Sequence, residues 1–213
     1  MKIYRLVFNP IEENTYIIAD PSGDCAVIDC GCYDRYESDE LDIFLQDKKL
    51  KPVLLLNTHC HLDHLFGNKW MLEKFGIRAR FSRDDEYNRI DSPMHARLFG
   101  LTMDLPPDPL EYLEDGQVIP LGMIRFTALH VPGHSSGSLA FYSSDLKAVF
   151  TGDALFAGSI GRTDLQGGDF KTLISSIRNK LFTLPDETIV YPGHGESTTI
   201  KAEKETNPYF INS

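Results

Sequence analysis

The sequence has little cysteine, few basic residues and no long apolar run. Four of its 213 residues are cysteine, and none of them forms a Cys-x-x-Cys pair. Because disulfide-stabilised secreted scaffolds are rich in cysteine, we expect reduced thiols here. No stretch of about 18 residues is apolar enough to span a bilayer, and the first residues lack the pattern of a signal peptide. We therefore expect a cytoplasmic protein without a membrane partner.

Positive charge is scarce, with 21 Lys and Arg against 31 Asp and Glu and a formal net charge of −10 at pH 7. Nucleic-acid binding needs cationic side chains that displace the counterions of the phosphates, so this balance argues against nucleic acid as the main partner. Hydrophobic residues make up 42% of the chain, and no repeat, linker or low-complexity tract interrupts it. The composition predicts one domain over residues 1–213 and leaves the oligomeric state open.

Histidine and aspartate, in contrast, are concentrated in one hexapeptide. Residues 59–64 read His-Cys-His-Leu-Asp-His and directly follow the apolar run 53–57, which predicts a buried strand. Side chains alternate in an extended chain, so His59 and His61 point to one side and Cys60 to the other. We therefore predict that Cys60 is a small buried apolar side chain.

A helical pattern of apolar residues over 62–75 overlaps the end of this hexapeptide. It places Asp63 and His64 in the first turn of a helix. The strand end and the helix start can thus bring two imidazoles to one metal, and a carboxylate and an imidazole to a second. The thiols of Cys30 and Cys32 could also bind metal, but we favour a packing role for both.

Three more polar side chains stand just past the ends of strand-like runs, each beside a glycine that lets the backbone turn sharply. They are His134 after the run 124–131, Asp153 after 148–151 and His194 after 188–191. Strand ends that meet at one edge of a scaffold can deliver such side chains to a shared site. The sequence therefore predicts a metal centre assembled from distant segments of the chain.

These motifs resemble those of the metallo-β-lactamase-fold superfamily, in particular its short, single-domain glyoxalase II-like branch of hydroxyacylglutathione hydrolase-like proteins. The superfamily motif His-x-His-x-Asp-His is complete at residues 59–64, and segments 13–16 and 27–29 match the N-terminal pattern. Segments 152–156 and 159–164 resemble the glyoxalase II-like branch. The resemblance implies an α+β fold, an αβ/βα four-layer sandwich with the metal site at one edge of two sheets.

The resemblance also implies a role for each candidate ligand. The first metal would be held by His59, His61 and His134, the second by Asp63, His64 and His194, and Asp153 would bridge the two. Asp29 would be a buried residue that orients the metal centre, although Cys30 follows it where many relatives have proline. Nitrogen and oxygen ligands without a thiolate suit two divalent metal ions, with Zn²⁺ expected and Fe²⁺ or Mn²⁺ also tolerated.

The expected chemistry is hydrolysis of a thioester. Two cations about 3.5–4 Å apart can share a hydroxide that is nucleophilic at neutral pH, and Asp63 can accept or steer the proton of the attacking water as the catalytic residue. A thiol with a pKa of about 8.5 leaves as a thiolate without a strong general acid. Together with this chemistry, the resemblance to glyoxalase II-like proteins implies a zinc-dependent thioester hydrolase with a small-molecule substrate, either S-acylglutathione, such as S-lactoylglutathione, or a similar thioester.

Two other functions stay open. Segment 161–164 also resembles iron-dependent persulfide dioxygenases, in which one iron ion would be held by His59, His134 and Asp153. The other alternative is a non-enzymatic metal-binding or regulatory protein. The complete second set of ligands favours the two-metal hydrolase over both.

Contacts to the substrate are less well defined by the sequence. We expect residues 1–213 to lack the helical C-terminal domain with which full-length glyoxalase II enzymes bind glutathione. Arg162 could bind a carboxylate of the substrate, or it could form an ion pair with Asp164. Tyr142 and Phe156 could line the pocket, but core packing is favoured for both.

Two histidines lie outside the predicted ligand set. His130 could support the metal ligands, whereas His95 is expected on a lid or simply exposed. His95 belongs to the polar stretch 84–100, which Ser92-Pro93 should interrupt. We therefore predict that this stretch forms separate helical pieces beside the site.

Overall fold

Apolar runs separated by turn residues form two six-stranded sheets in the computed structural model, which describes residues 1–211. The first sheet contains, in chain order, β1 (Lys2–Phe8), β2 (Glu13–Ala19), β3 (Asp24–Ile28), β4 (Lys51–Leu56), β5 (Ala79–Phe81) and β6 (Glu111–Tyr112). Strands β1, β2 and β3 pair antiparallel, whereas β3 to β6 pair parallel. The parallel strands therefore end at one common edge of the sheet.

The second sheet comes from the later part of the chain. Its strands are β7 (Val118–Leu121), β8 (Ile124–His130), β9 (Leu139–Ser143), β10 (Ala148–Gly152), β13 (Ile189–Pro192) and β14 (Thr198–Thr199), with β11 (Leu155–Phe156) and β12 (Ser159–Ile160) forming a separate hairpin. The spatial order is β14-β13-β10-β9-β8-β7. Strands β10 and β13 pair parallel, and the other neighbours pair antiparallel.

Helices connect the strands. They are α1 (Arg35–Lys48), α2 (Leu62–Leu65), α3 (Asn68–Phe75), α4 (Glu86–Leu98), α5 (Phe170–Ser176) and α6 (Ile200–Thr206), with a 3₁₀ turn at Arg83–Asp85 and a π-helical turn at Ile177–Leu181. The Asp169 carboxylate caps α5 by accepting from the Thr172 N–H at 2.7 Å. Over residues 1–211, none of these helices is long and apolar enough to cross a lipid bilayer.

Three buried clusters define the layers of the molecule. Aromatic side chains from both sheets, including Tyr16, Phe126 and Phe150, meet in the central cluster. A second cluster packs β2 and β4 under Leu41 of α1 and neighbouring helices, and a third packs β10 and β13 under α5 and α6. Helices thus lie outside two sheets that pack face to face, which confirms the predicted αβ/βα sandwich.

The predicted helix over 62–75 is wrong in one respect, because the chain forms two helices that are separated at Gly67. The Gly67 N–H donates to the Cys30 carbonyl at 2.8 Å instead of to the carbonyl of Asp63 four residues earlier. That Asp63 carbonyl accepts from the Asn9 side chain at 3.1 Å. A side chain at Gly67 would collide with the sulfurs of the two neighbouring cysteines, so only glycine allows this close contact.

The predicted interruption at Ser92-Pro93 is also wrong, because α4 continues through Pro93. Proline has no N–H to donate to the carbonyl four residues earlier, which here belongs to Arg89. The Ser92 hydroxyl donates to that carbonyl at 2.8 Å and replaces the missing hydrogen bond. One continuous helix therefore stands beside the site.

Candidate metal centre

Seven side chains that the sequence singles out lie together at the edge where strands of both sheets end. They are His59, His61, Asp63, His64, His134, Asp153 and His194. Among the described residues, their donor atoms form overlapping groups of three, and within each group the atoms lie within 4.8 Å of one another. Two of these groups have the same members as the two ligand sets that the sequence resemblance implies.

The first group is His59, His61 and His134. The Nε2 atom of His134 lies 2.8 Å from Nδ1 of His61 and 3.3 Å from Nε2 of His59. A tetrahedral ion with Zn–N distances near 2.0–2.1 Å separates its ligand atoms by about 3.3 Å. Burial lowers the pKa of His59 well below its ordinary value and that of His61 to about 3, so both imidazoles are neutral and present free lone pairs.

The second group is Asp63, His64 and His194. The Oδ2 atom of Asp63 lies 3.2 Å from Nε2 of His194 and 3.6 Å from Nε2 of His64. Burial alone would lower the pKa of His64, but the surrounding carboxylates, first of all that of Asp63, outweigh burial and raise it well above its ordinary value. The carboxylates therefore favour positive charge at this position.

Asp153 lies between the two groups. Its Oδ1 atom is 3.5 Å from Nε2 of His64, and its Oδ2 atom is 3.6 Å from Nε2 of both His134 and His194. Burial would raise the pKa of Asp153, but the adjacent histidines, His64 foremost, hold it well below its ordinary value. The carboxylate is thus charged and shared by both groups.

Two buried atoms test whether a metal fits these residues. The Nε2 atom of His64 and the Oδ1 atom of Asp153 are both buried and have no hydrogen-bond partner. Leaving such atoms unpaired costs about 1–3 kcal/mol each. Because both belong to the clustered groups, divalent cations held there would satisfy them, and the donor set fits the two ions that the resemblance implies.

The backbone and side chains behind the cluster orient it. Oδ1 and Oδ2 of the buried Asp29 accept from the Thr58 N–H at 2.8 Å and from the Thr58 hydroxyl at 2.7 Å. Oδ2 also lies 3.0 Å from Nδ1 of His64, and the same hydroxyl lies 3.1 Å from Nδ1 of His59. Asp29 therefore contacts the imidazole of His64 directly and that of His59 through Thr58. It lies buried behind the cluster, where the resemblance implied a residue that orients the ligands.

Carbonyl oxygens orient two further rings. Nδ1 of His134 lies 2.8 Å from the Arg162 carbonyl oxygen, and Nδ1 of His194 lies 3.1 Å from that of Glu12. An Nδ1–H that donates to a carbonyl leaves Nε2 as the lone-pair atom. Both Nε2 atoms face the cluster, so the hydrogen bonds select the tautomer that can bind a metal.

Sequence reasoning missed Asp85, a fully buried residue of the 3₁₀ turn before α4. Its Oδ2 atom accepts from the Cys60 N–H at 2.7 Å and the Ser135 hydroxyl at 3.0 Å, and its Oδ1 atom accepts from the Gly137 N–H at 2.9 Å. Asp85 thereby connects the loop of the hexapeptide to the loop that contains His134. Asp84 and Asp85 are adjacent, and no local signal shows which of the two is buried.

Replacing Asp85 with alanine should lower the free energy of unfolding of the metal-free protein by about 3 kcal/mol or more. The change removes three hydrogen bonds to a charged group and leaves two buried N–H groups without an acceptor. Urea unfolding followed by circular dichroism measures the effect. The matched control Asp84→Ala removes an exposed carboxylate and should leave the midpoint unchanged. Equal midpoints for the two variants would contradict the role given to Asp85.

Glu13 is another buried acidic residue for which no individual role was predicted from the sequence. Its Oε2 atom accepts from the Thr15 hydroxyl at 2.8 Å, while Oε1 is buried without a hydrogen-bond partner. Burial raises the pKa of Glu13 well above its ordinary value. An oxygen of Glu13 also lies near ligand atoms of Asp29 and His64, so this carboxyl group stands directly behind the cluster.

A cavity of about 440 Å³ opens onto five of the seven clustered side chains, His61, Asp63, His134, Asp153 and His194. Its other lining residues are Ile11, Leu62, Asn88, His95, Leu98, Phe99, Arg162, Leu165 and Gln166. Arg162 therefore reaches the cavity, as expected of a substrate-binding residue. Its guanidinium nevertheless contacts Asp164, with Nε 2.7 Å from Oδ1 and the terminal nitrogen Nη2 2.8 Å from Oδ2. The ion pair with Asp164 is therefore present, and binding of a substrate carboxylate by Arg162 stays a prediction.

The other candidate pocket residues have different positions. Neither Tyr142 nor Phe156 lines the cavity; Tyr142 packs against the third core cluster, and the Phe156 ring centre is 6.3 Å from that of His194. His95 lines the cavity from α4 and is partly buried, so it is not simply exposed. His130 lies outside the cavity, and its Nε2 atom contacts the Ser136 carbonyl oxygen at 2.9 Å.

The cysteines pack in the protein core. Cys60 is fully buried, which confirms its predicted position, and burial raises the pKa of its thiol well above the ordinary value. The sulfurs of Cys30 and Cys32 lie 3.4 Å apart within the second core cluster. Among the described residues, no cysteine belongs to a group that could hold a metal. The packing interpretation therefore fits these thiols.

Comparison with known proteins agrees with this geometry. The sequence matches the metallo-beta-lactamase superfamily over residues 9–194. It is 37% identical to hydroxyacylglutathione hydrolase GloC of Haemophilus influenzae, over 100% of this chain and 99% of that protein. The B3 metallo-beta-lactamase BLEG-1 has 31% identity and a TM-score of 0.91, covering 99% of this chain and 100% of its own. TTHA1623 in a di-iron-bound form has 37% identity and a TM-score of 0.88, covering 97% and 100%. This chain therefore belongs to the metallo-β-lactamase superfamily, and within it to the metallo-hydrolases.

Proposed function

We propose that this metallo-hydrolase cleaves a thioester, with S-acylglutathione, such as S-lactoylglutathione, or a similar thioester as its substrate. The observation that carries the proposal is the position of Asp153, whose two carboxylate oxygens lie 3.5 Å from His64 and 3.6 Å from His134. One carboxylate that serves both groups of ligands is the arrangement a two-metal hydrolase needs. The name of the Haemophilus influenzae relative, a hydroxyacylglutathione hydrolase, supports the substrate class.

Two divalent ions would be held by the seven clustered side chains, with Asp153 as the shared ligand. Bound there, they would supply Lewis acidity toward a carbonyl oxygen and make a water molecule acidic enough to become a nucleophile. Zn²⁺ is the expected metal because the donors are nitrogen and oxygen atoms, and Fe²⁺ and Mn²⁺ suit the same donors. The di-iron form of the 37% identical structure supports iron as the main alternative.

Asp63 is the residue to which we assign proton handling. Burial would raise its pKa, but the adjacent His64 and His194 outweigh burial and lower it, so the side chain is a carboxylate that can accept a proton. It lines the cavity, and its Oδ2 atom is directed toward His194 at 3.2 Å. This carboxylate can therefore orient a water molecule and receive its proton. The thiolate of the substrate needs no proton from the protein in order to leave.

The proposal predicts hydrolysis of a thioester without oxygen. Protein reconstituted with Zn²⁺ alone should hydrolyse S-lactoylglutathione or a simpler thioester under anaerobic conditions, because hydrolysis requires no exchange of electrons. His64→Ala should lower this activity by about 100-fold or more, since it removes a ligand of the second group. Release of the thiol, followed with a thiol-reactive dye, measures both rates.

The controls separate hydrolysis from the persulfide dioxygenase alternative. Metal-free protein should be inactive, and addition of Zn²⁺ should restore activity. Activity that requires Fe²⁺ and O₂, consumes oxygen and survives His64→Ala would overturn the proposal in favour of the dioxygenase. Inactivity toward a panel of thioesters with both metal sites filled would also overturn the proposal.

A further inference from the structure

The cavity in front of the metal centre has an apolar mouth. Leu98 ends α4 and Phe99 directly follows it, and both side chains line the cavity although they are 78% and 62% exposed. Ile11, from the turn between β1 and β2, and Leu165, from the segment after β12, are also exposed and line it. Large apolar side chains that stay exposed around a polar centre are typical of a surface that binds an apolar ligand.

Beyond the metal centre, the same cavity offers little to a carboxylate ligand. Among the described residues that line it, Arg162 is the one Lys or Arg, and its guanidinium is already bound side-on by the Asp164 carboxylate. The Arg162 hydrogen bond lowers the pKa of Asp164 to about 2, so this partner keeps its negative charge at neutral pH. The remaining carboxylates of the lining, Asp63 and Asp153, belong to the metal centre. A substrate carboxylate would therefore meet a guanidinium whose positive charge is already balanced by Asp164.

We infer that the preferred substrate is a thioester of a hydrocarbon acyl chain, one that carries no carboxylate on its acyl group, and that Leu98 and Phe99 contact this chain. The inference rests on the proposed thioester hydrolysis. In that reaction water adds to the acyl carbon and the C–S bond breaks with its electron pair on sulfur. The products are a fatty carboxylate and a thiol. With the carbonyl at the metal centre, the chain would extend toward the apolar mouth, and Asn88, His95 and Gln166 add polar side chains to the lining of the cavity.

The test compares acyl thioesters of one uncharged thiol, N-acetylcysteamine. From acetyl to butyryl to hexanoyl, kcat/KM should rise by about threefold for each added methylene that becomes buried. The succinyl thioester has the same number of carbons as the butyryl thioester but ends in a carboxylate. Its kcat/KM should be lower by about tenfold or more, because the charge would enter an apolar mouth without a free cation.

Three variants and one control show which side chains cause the preference for a hydrocarbon acyl chain. Leu98→Ser and Phe99→Ser should each lower the hexanoyl-to-acetyl ratio of kcat/KM by about fivefold or more. Both side chains are exposed, so neither change disturbs the core. The matched control Leu110→Ser removes a leucine that is 58% exposed and lies outside the cavity, and it should leave the ratio unchanged. Asp164→Asn removes the negative charge that pairs with the guanidinium of Arg162. It should raise the succinyl-to-butyryl ratio of kcat/KM by about fivefold.

The outcomes distinguish this inference from the proposed function. Hydrolysis that does not depend on chain length, or that favours the succinyl thioester or S-lactoylglutathione over the hexanoyl thioester, overturns the inference and leaves thioester hydrolysis standing. A chain-length effect that Leu98→Ser and Phe99→Ser do not change also overturns it. Absence of hydrolysis with every thioester in the series, in fully metallated protein, overturns both.

Discussion

Replacing Asp153 with alanine should release both metal ions from the protein, and not one. The Asp153 carboxylate lies within 3.6 Å of nitrogen atoms of His64, His134 and His194, which belong to two different groups of ligands. In the proposed two-metal site, removing this carboxylate would take a ligand from each ion and would leave the positive charges of both ions without the negative charge between them. We expect both affinities to fall by about 100-fold or more. Elemental analysis should then find close to two metals per chain in the unchanged protein and well under one in the variant.

A matched variant shows whether this effect is specific. Asp186 is an exposed aspartate that pairs with Lys204, and Asp186→Ala removes the same charge far from the cluster. It should retain the full metal content. If Asp153→Ala also retained two ions, the shared-ligand assignment would be wrong. If it lost only one, Asp153 would belong to a single metal.

Replacing Asp63 with asparagine should lower kcat by about 100-fold or more while the metal content stays near that of the unchanged protein. Asparagine preserves the shape of the side chain and one oxygen donor, but it has no negative charge with which to accept a proton. The pKa of Asp63 is lowered by His64 and His194, so the unchanged protein has this carboxylate ionised at neutral pH. The loss should therefore appear in kcat, with a smaller change in KM.

Metal analysis and kinetics on the same sample separate the two roles of Asp63. A fall in kcat that merely follows loss of metal would make Asp63 a ligand and nothing more. Asp104→Asn is the control, because Asp104 is an exposed aspartate paired with Lys69. Its kcat should equal that of the unchanged protein. An Asp63→Asn variant with full metal content and an unchanged kcat would contradict the assignment of proton handling.

The sequence was most informative where chemistry and strand periodicity coincide. Alternation after the run 53–57 correctly placed Cys60 in the core and His59 and His61 at the cluster. The glycines after strands correctly indicated that Asp153 and His194 would meet the hexapeptide at one edge. The placement of residues 59–61 is a local feature, because the alternation of β4 (Lys51–Leu56) continues into the loop that follows it. The meeting of Asp153 and His194 with this loop instead follows from where the strands of the second sheet end. That the cluster binds two metal ions stays a prediction.

Features that depend on long-range contacts could not be predicted in the same way. Asp85 accepts hydrogen bonds from residues 25 and 52 positions away, and an isolated aspartate gives no sign of such partners. The helix break at Gly67 depends on the carbonyl of Cys30, which a helical pattern does not reveal. Pro93 was misleading because its usual effect is cancelled by one hydroxyl group, that of Ser92. At Gly67 and at Pro93, a single hydrogen bond outweighed the tendency that the local sequence indicates.

Helix α4 connects the loops of the metal centre to the apolar mouth of the cavity. Asp85 immediately precedes this helix and accepts hydrogen bonds from the loops of the cluster. Leu98 and Phe99, at the C-terminal end of the helix, form part of the mouth of the cavity. Thirteen helical residues span about 20 Å, and Arg89 fastens the helix to the Pro106 carbonyl at 2.6 Å. Because these contacts hold α4 in place, the helix is rigid. Displacing its C-terminal end would therefore strain the loops that carry the clustered side chains. The range of accepted molecules can therefore be altered by exchanging side chains at the mouth, whereas opening the mouth by displacing the backbone would disturb the geometry on which catalysis depends.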